Sequence, residues 1–311
     1  MRKDVRLREA YERFARTKLE SSDHYNIQRG MMKLFGIGEW KGKVHSWPQE
    51  MMVHELHSGM VVELGEHRTA EGLKPASVNA ELRNLRRVYN YALNTMRSKF
   101  PEEPVKFKLL KAKEKTRFLS VSEEERVLAY LSSRKGRTIE LAHDLYIFLV
   151  DTGVRISEAL GVRRKDIDLD DGTILVWRDK TEEPGMPAMT PRVREVVMRR
   201  LDEGQGPEDP LFQRTNRAIK FLRKTLDYLC NTDPVSLRRH GKVTIHTLRH
   251  TFASRLVLNE VSIYTVATLL GHTSTQMTRR YSHLEARTKA KEAAEILSGL
   301  SSGNATRSNR I

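Results

Sequence analysis

Residues 244–283 gather a cation, imidazoles and a phenol at short range. In Thr244-Ile-His-Thr-Leu-Arg-His-Thr-Phe-Ala-Ser254, His246 and Arg249 stand three apart, a spacing that puts both on one face of a helix. Leu269-Leu-Gly-His272 follows, and Tyr281 comes nine residues after His272. These residue types suit chemistry on a phosphodiester: arginine clamps the phosphate, histidine donates hydrogen bonds or moves protons, and a phenol attacks. Each has an ordinary alternative when taken singly. A lone arginine is most often a surface ion pair, a lone histidine a core or cap residue, and a tyrosine a packed ring with its hydroxyl at the surface. Zinc binding through His246, His250 and His272 fits the i, i+4 spacing, but the H-E-x-x-H glutamate is missing and an arginine between the ligands repels a cation.

The bulk composition narrows the partner. Over 311 residues, 55 Lys and Arg against 40 Asp and Glu give a net charge of +15. That excess favours a polyanion, with nucleic acid first and an anionic membrane surface second. Acidic residues are interspersed among the basic ones, so the pattern is a folded charged surface. Cys230 is the single cysteine, which excludes an intrachain disulfide framework and a Cys-rich zinc site and fits a reducing cytoplasm. No apolar run is long enough to span a bilayer, and Met1-Arg-Lys-Asp-Val-Arg lacks the apolar core of a signal peptide. The expectation is a cytoplasmic protein with no membrane partner.

The elements that must position the reactive residues read as mainly α with a small antiparallel β-sheet, an α+β arrangement. Amphipathic patterns predict helices over residues 7–19 and 25–35, a third starting at Trp47-Pro48, and a fourth opening at Pro75. The fourth has Leu82, Leu85, Val88, Tyr89 and Ala92 on its apolar face and Arg83, Arg86 and Arg87 on the other. Those arginines read either as a solvated face or as DNA phosphate contacts. A basic connector with Lys106, Lys108, Lys111, Lys113, Lys115 and Arg117 leads to Ser120-x-x-Glu123, a capping box that starts a new helix. This places a helical domain at 1–112, a linker at 113–119, a second domain at 120–300 and a disordered tail at 301–311. Within the second domain, residues 167–169, 173–177 and 186–189 read as two or three short strands, with Asp170-Asp-Gly172 and Pro184-Gly185 as turns. Helices are expected over 127–131, 141–150, 192–201, 216–229 and 286–300.

Thr152-Gly-Val-Arg155-Ile-Ser-Glu-Ala-Leu160 adds a second arginine upstream. Together with His246-Thr-Leu-Arg249, Leu269-Leu-Gly-His272 and Tyr281-Ser-His283, it resembles the motifs of the tyrosine recombinases, the phage integrase family. The resemblance covers most of the chain. Residues from about 118 to 300 look like the catalytic domain, and the earlier helical part looks like the core-binding domain. It implies that Tyr281 attacks the scissile phosphate, forms a 3′-phosphotyrosyl bond and releases a 5′ hydroxyl, with neither metal, ATP nor other cofactor. It also implies that Arg155 and Arg249 bind the non-bridging oxygens. His246 and His272 then hydrogen-bond the phosphate and manage the tyrosine proton, while Lys180, after strand 173–177, is the general acid. His250 and His283 are expected only in supporting positions, and Glu158 as a group that orients a neighbour. Glu182-Glu-Pro-Gly after Lys180 departs from the basic hairpin usual in the family.

The implied partners are double-stranded DNA recombination sites, a homotetramer of the chain on two duplexes, and accessory DNA-bending or directionality proteins. Two other functions fit part of the inventory. A type IB topoisomerase uses a similar residue set to relax supercoils, and an inactive relative would bind DNA without cutting it. The compact motif spacing and the N-terminal helical domain favour recombination over the first. The presence of a candidate for every catalytic side chain argues against the second.

Overall fold

The computed structural model describes residues 1–19, 23–35, 47–111, 117–178, 183–203, 206–271, 281, 282, 284, 286, 290 and 293–298. The chain divides into two compact units, Met1–Lys113 and Glu114–Ile311, each with its own hydrophobic core. The fold is mainly helical with short antiparallel ladders.

In the first unit, α1 (Leu7–Arg16) packs on α2 (Asp23–Phe35) and α4 (Pro75–Asn94), and α3 (Ser58–Ala70) packs on α4. Pro75 opens α4, where its missing N–H costs nothing. Val78, Leu82, Leu85, Val88, Tyr89 and Ala92 then form one buried stripe at helical spacing. Lysine-rich residues 106–110 are less free than a linker reading implies. Val105, Phe107 and Leu110 pack on this core, and the Asn79 side chain both accepts from Leu110 N and donates to Leu110 O, each at 2.8 Å.

The helix expected from Trp47-Pro48 does not form. Trp47 is buried with its N–H donated to Leu34 O at 2.8 Å, and the chain turns at Pro48 and runs extended. Met51 O accepts from Leu7 N at 2.9 Å and Met52 bridges Arg6. Pairing with the N-terminal segment outweighs the proline signal, and α3 starts only at Ser58.

The second unit is built around α6 (Arg137–Thr152), which packs against α5 (Val121–Ser132), α8 (Pro191–Glu203), α9 (Asn216–Cys230) and α11 (Ile245–Leu258). Its apolar residues run almost all round the helix, as a central rod requires. Ser120 and Glu123 cap α5 reciprocally, with Ser120 N donating to Glu123 Oε2 at 2.9 Å and Glu123 N to Ser120 Oγ at 3.2 Å. The remaining helices are α7 (Ile156–Gly161), α10 (Pro234–His240) and α12 (Ile263–Leu270). Of the expected 286–300 helix, residues 293–298 are helical and exposed.

The strands form two ladders instead of one sheet. β1 (Ile167–Asp168) pairs with β2 (Thr173–Ile174), and β3 (Val176–Arg178) with β4 (Glu183–Gly185), both antiparallel. The break falls at Leu175, whose N–H turns back to Asp166 O at 2.8 Å. Pro184-Gly185, read from sequence as a turn, lies in β4 opposite Trp177 and Val176, where proline fits an edge. From the expected 186–189 strand only Ala188 pairs, through a single bridge to Thr173.

One ion cluster ties α8 to the rod. The buried Asp144 carboxylate takes Arg199 Nη2 at 2.7 Å and Arg200 Nε at 2.9 Å, with His143 Nδ1 at 3.5 Å. Burial works to raise its pKa, but hydrogen bonds from His143 and Arg199 and the charge of Arg200 outweigh it, and the net shift is downward. A carboxyl more acidic in the folded than in the unfolded chain stabilises the fold above the unfolded pKa of about 4, and that contribution is lost as pH falls through the folded value. Asp144→Asn should therefore flatten the acid limb of stability against pH. It should also cost about 3 kcal/mol at neutral pH, because the buried Arg200 keeps its charge with only the exposed Glu203 left as a partner. Urea unfolding followed across pH 3–7 checks both.

Candidate active site

The site begins at the end of the rod. α6 stops at Gly153, which is left-handed with φ 66°. The Phe252 ring of α11 lies so close to its Cα that a Cβ would collide with it. Only glycine fits both constraints, which accounts for the Thr152-Gly-Val-Arg155 motif. The turn delivers Arg155 to the N-cap of α7. There Glu158 Oε2 accepts from Arg155 N at 2.7 Å, while Glu158 Oε1 binds the Arg155 guanidinium. Glu158 thus closes the helix start and holds the side chain with one carboxylate.

Arg249 projects from α11 into the same place and is only 4% exposed. Its Nη1 donates to Gly153 O at 2.8 Å, its Nη2 donates to Leu270 O, and Glu158 Oε2 lies 3.7 Å from Nη1. Two helix C-termini and one carboxylate therefore face a single guanidinium, the polarity that a cation requires. Burial is the largest influence on Arg249 and lowers its pKa. Arg155 and Arg178 lower it further and Glu158 opposes them, leaving it at about 10. The group stays cationic at neutral pH, and its charge is under-compensated.

Arg178 is a third guanidinium that sequence reading did not single out. Along β3 the side chains alternate, with Val176 and Arg178 buried and Trp177 exposed. Arg178 Nη2 donates to Leu269 O at 2.8 Å, next to the carbonyl that Arg249 takes. Its guanidinium fills space that a side chain at Gly185 or Gly271 would occupy. Burial lowers its pKa, Glu158 and Glu183 act to raise it, and Arg155 adds to the lowering. The period-two alternation of the strand was the available signal.

Tyr281 is 1% exposed and packs with Ala253, Val257, Val266, Leu270 and Leu284. Its Oη lies 2.6 Å from His250 Nδ1. His246, one turn earlier on α11, is exposed and stands edge-on to His250 with ring centroids 4.8 Å apart. The structure thus brings Arg155, Arg249 and Tyr281 together, with His246 beside His250. The imidazole on the phenol is that of His250, which sequence reading left in a supporting position. Lys180 and His272 lie outside the described residues, as do Lys113 and Lys115. Among the described residues, no group of three or more His, Cys, Asp or Glu side chains is arranged to hold a metal ion, and no helix is long and apolar enough to cross a membrane.

In the first unit, Arg83 and Arg86 are exposed and Arg87 sits 5.4 Å from the Phe14 ring centroid. An open groove of about 730 Å³ between α2 and α4 is lined by Arg29, Lys33, Ser77, Arg83 and Arg87, among others. Lys111 is exposed.

The chain is similar to known proteins. The tyrosine recombinase XerA of Thermococcus onnurineus is 26% identical over 240 residues, covering 74% of this chain and 79% of that protein. The tyrosine recombinase XerC of Pediococcus pentosaceus is 28% identical over 225 residues, 68% of this chain and 72% of that one. Among solved structures, the Tn1549 transposon integrase in complex with transposon right end DNA superposes with a TM-score of 0.71 at 18% identity, covering 93% of this chain and all of that one, which is a likeness of fold. The model of the phage integrase family matches residues 117–288, the segment that carries Arg155, Arg249 and Tyr281. The chain belongs to the phage integrase family, the tyrosine site-specific recombinases.

Proposed function

We propose that this recombinase cuts and rejoins DNA with Tyr281 as nucleophile and the Arg155–Arg249 pair as the phosphate clamp. The observation that carries the reading is the convergence of both motif arginines on Glu158, with the Tyr281 phenol held against the helix that bears Arg249. The Tyr281 oxygen bonds to phosphorus, the bond to the 5′ oxygen breaks, and a 3′-phosphotyrosyl link remains. A 5′ hydroxyl from the partner strand reverses the step. Each exchange swaps one phosphoester for another, so the bond energy is kept and no ATP is required. Arginine suits the clamp because its charge is permanent and its fork matches two phosphate oxygens. Arg249 in particular carries a buried charge that a phosphate would relieve.

The other assignments rest on the family motifs. His246 and His272 hydrogen-bond the phosphate, and Lys180 protonates the leaving 5′ oxygen. Double-stranded DNA sites are the substrate, bound by the second unit around the scissile phosphate and by the first through Arg83 and Arg87 of the α2–α4 groove and the exposed Arg86 of the same helix. The connector lysines Lys111, Lys113 and Lys115 add to that contact. The net charge of +15 supports such a surface. Exchange of two duplexes takes four cleavages, hence four copies of the chain acting on DNA in the cytoplasm, with accessory DNA-bending or directionality proteins as further partners. The domains run as 1–112, 113–119 and 120–300, with 301–311 as a tail.

Arg178 enters as a positioning residue. It grips the last turn of α12, directly before the Gly271-His272 pair, from the strand that leads to Lys180.

Cleavage assays on four variants test this. On a nicked duplex taken from DNA flanking the gene, the wild type forms an SDS-resistant adduct in EDTA and Tyr281→Phe forms none. Arg249→Lys slows adduct formation by on the order of 100-fold. An adduct that persists in Tyr281→Phe removes Tyr281 as nucleophile, and loss of the wild-type adduct in EDTA points to a metal mechanism. For Arg178→Met, single-turnover cleavage drops by roughly 10- to 100-fold through displaced site groups, while DNA affinity stays within about threefold. Arg178→Lys recovers part of the rate. Equal losses in affinity and rate would mean that Arg178 only supports the fold.

A further inference from the structure

The proton on the Tyr281 phenol must go somewhere before or as the oxygen attacks, and the His250 imidazole sits against that hydroxyl. We propose that His250 is the general base for Tyr281: its Nδ1 takes the phenolic proton during cleavage and returns it during rejoining. This rests on the reading of Tyr281 as nucleophile.

Four observations carry it. The His250 Nδ1 to Tyr281 Oη distance is 2.6 Å, a direct hydrogen bond to the reacting atom. Tyr281 is buried, so its hydroxyl does not exchange its proton freely with bulk solvent. His250 is partly exposed and faces the exposed His246, so a proton taken up at His250 has a route outward. Arg249, the neighbour of His250 in sequence, interacts electrostatically with Tyr281, and its positive charge stabilises the developing phenolate. Arg249 and His250 are thus adjacent residues serving the two ends of one new bond, the phosphate oxygens and the attacking phenol.

The step balances. His250 enters neutral, protonated on Nε2, with the Nδ1 lone pair toward the hydroxyl. The O–H bond of Tyr281 breaks, its proton moves to Nδ1, the Oη–P bond forms and the P–O5′ bond breaks. The leaving oxygen takes its proton from a separate acid, Lys180 in the reading above. In the return step the incoming 5′ hydroxyl gives up its proton to that same separate group, the Oη–P bond breaks, and the imidazolium restores the phenol. His250 therefore ends each cycle as it began.

The test compares wild type, His250→Asn and His250→Ala in single-turnover adduct formation on the nicked duplex. DNA affinity is measured alongside to confirm that each variant is folded. Asparagine can keep a hydrogen bond to Oη but cannot take up a proton. Both variants should slow adduct formation by roughly 100-fold or more while binding DNA like wild type. The second arm replaces Tyr281 with difluorotyrosine, a more acidic phenol that depends less on a base. There the gap between wild type and His250→Asn should narrow by about tenfold or more. A gap unchanged by the more acidic phenol overturns the proposal and leaves His250 a purely positional role. So does faster cleavage in His250→Ala, which would make the contact a latch on the nucleophile. An adduct in Tyr281→Phe marks a different failure, that of the nucleophile assignment itself.

Discussion

Burying the Arg249 side chain is the constraint around which the second unit is organised. A guanidinium can leave water only if its donors meet acceptors and its charge meets an opposite field. Here the donors go to Gly153 O and Leu270 O, and Glu158 supplies the charge. Both carbonyls belong to helix C-termini, where backbone oxygens lack partners within the helix. The consecutive end of α6 and start of α7, and the sequence-distant end of α12, are thus registered against one side chain of α11. Whatever disturbs one of them is felt at the others through Arg249.

Glycine makes that registration possible at two points. Gly153 turns the chain after α6 in a left-handed conformation and yields its side-chain space to Phe252. Gly271, also left-handed at φ 61°, ends α12 and yields its space to Arg178. The two positions look alike in sequence, each a glycine within two residues of a motif residue, and they do the same physical work. Each ends its helix in a left-handed conformation and lets a large side chain pack directly on backbone. Arg178 and Arg249 then hold consecutive carbonyls, Leu269 O and Leu270 O, so β3 and α11 grip the same helix turn from two sides.

The parts of this arrangement differed in how legible they were from residues alone. Helices with a strong stripe, such as α4, and with reciprocal caps, such as α5, were readable because their determinants are local. The false helix at Trp47 arose because its competing signal was non-local, a backbone pairing of Met51 and Met52 with Leu7 and Arg6. The ladders were misjudged for a related reason. The run from Thr173 to Trp177 is continuous in composition, and only the hydrogen bond from Leu175 to Asp166 shows that it breaks. Within the site, Arg155, His246, Arg249 and Tyr281 stood out through their motifs. Arg178 did not: the alternation of its strand marks it as inward-facing, but not the helix end that it reaches. His250 was named only in a supporting position, and the i, i+4 pair with His246 gives no hint of which imidazole reaches the phenol.

The same cluster has a consequence for how the protein behaves in solution. Among the described residues, Arg155, Arg178 and Arg249 gather around Glu158, with Glu183 acting on Arg178, so three cations meet two carboxylates and the cluster keeps a cationic excess. Small anions are drawn to such a place as surely as a phosphodiester is. With this cluster as the proposed phosphate clamp, engaging DNA there is an exchange of one anion for another, with the displaced ion returned to solvent. Buffer identity thereby becomes part of the binding equilibrium: at equal ionic strength, sulfate or phosphate, with tetrahedral oxygens that mimic the substrate, competes for the arginines more strongly than chloride does.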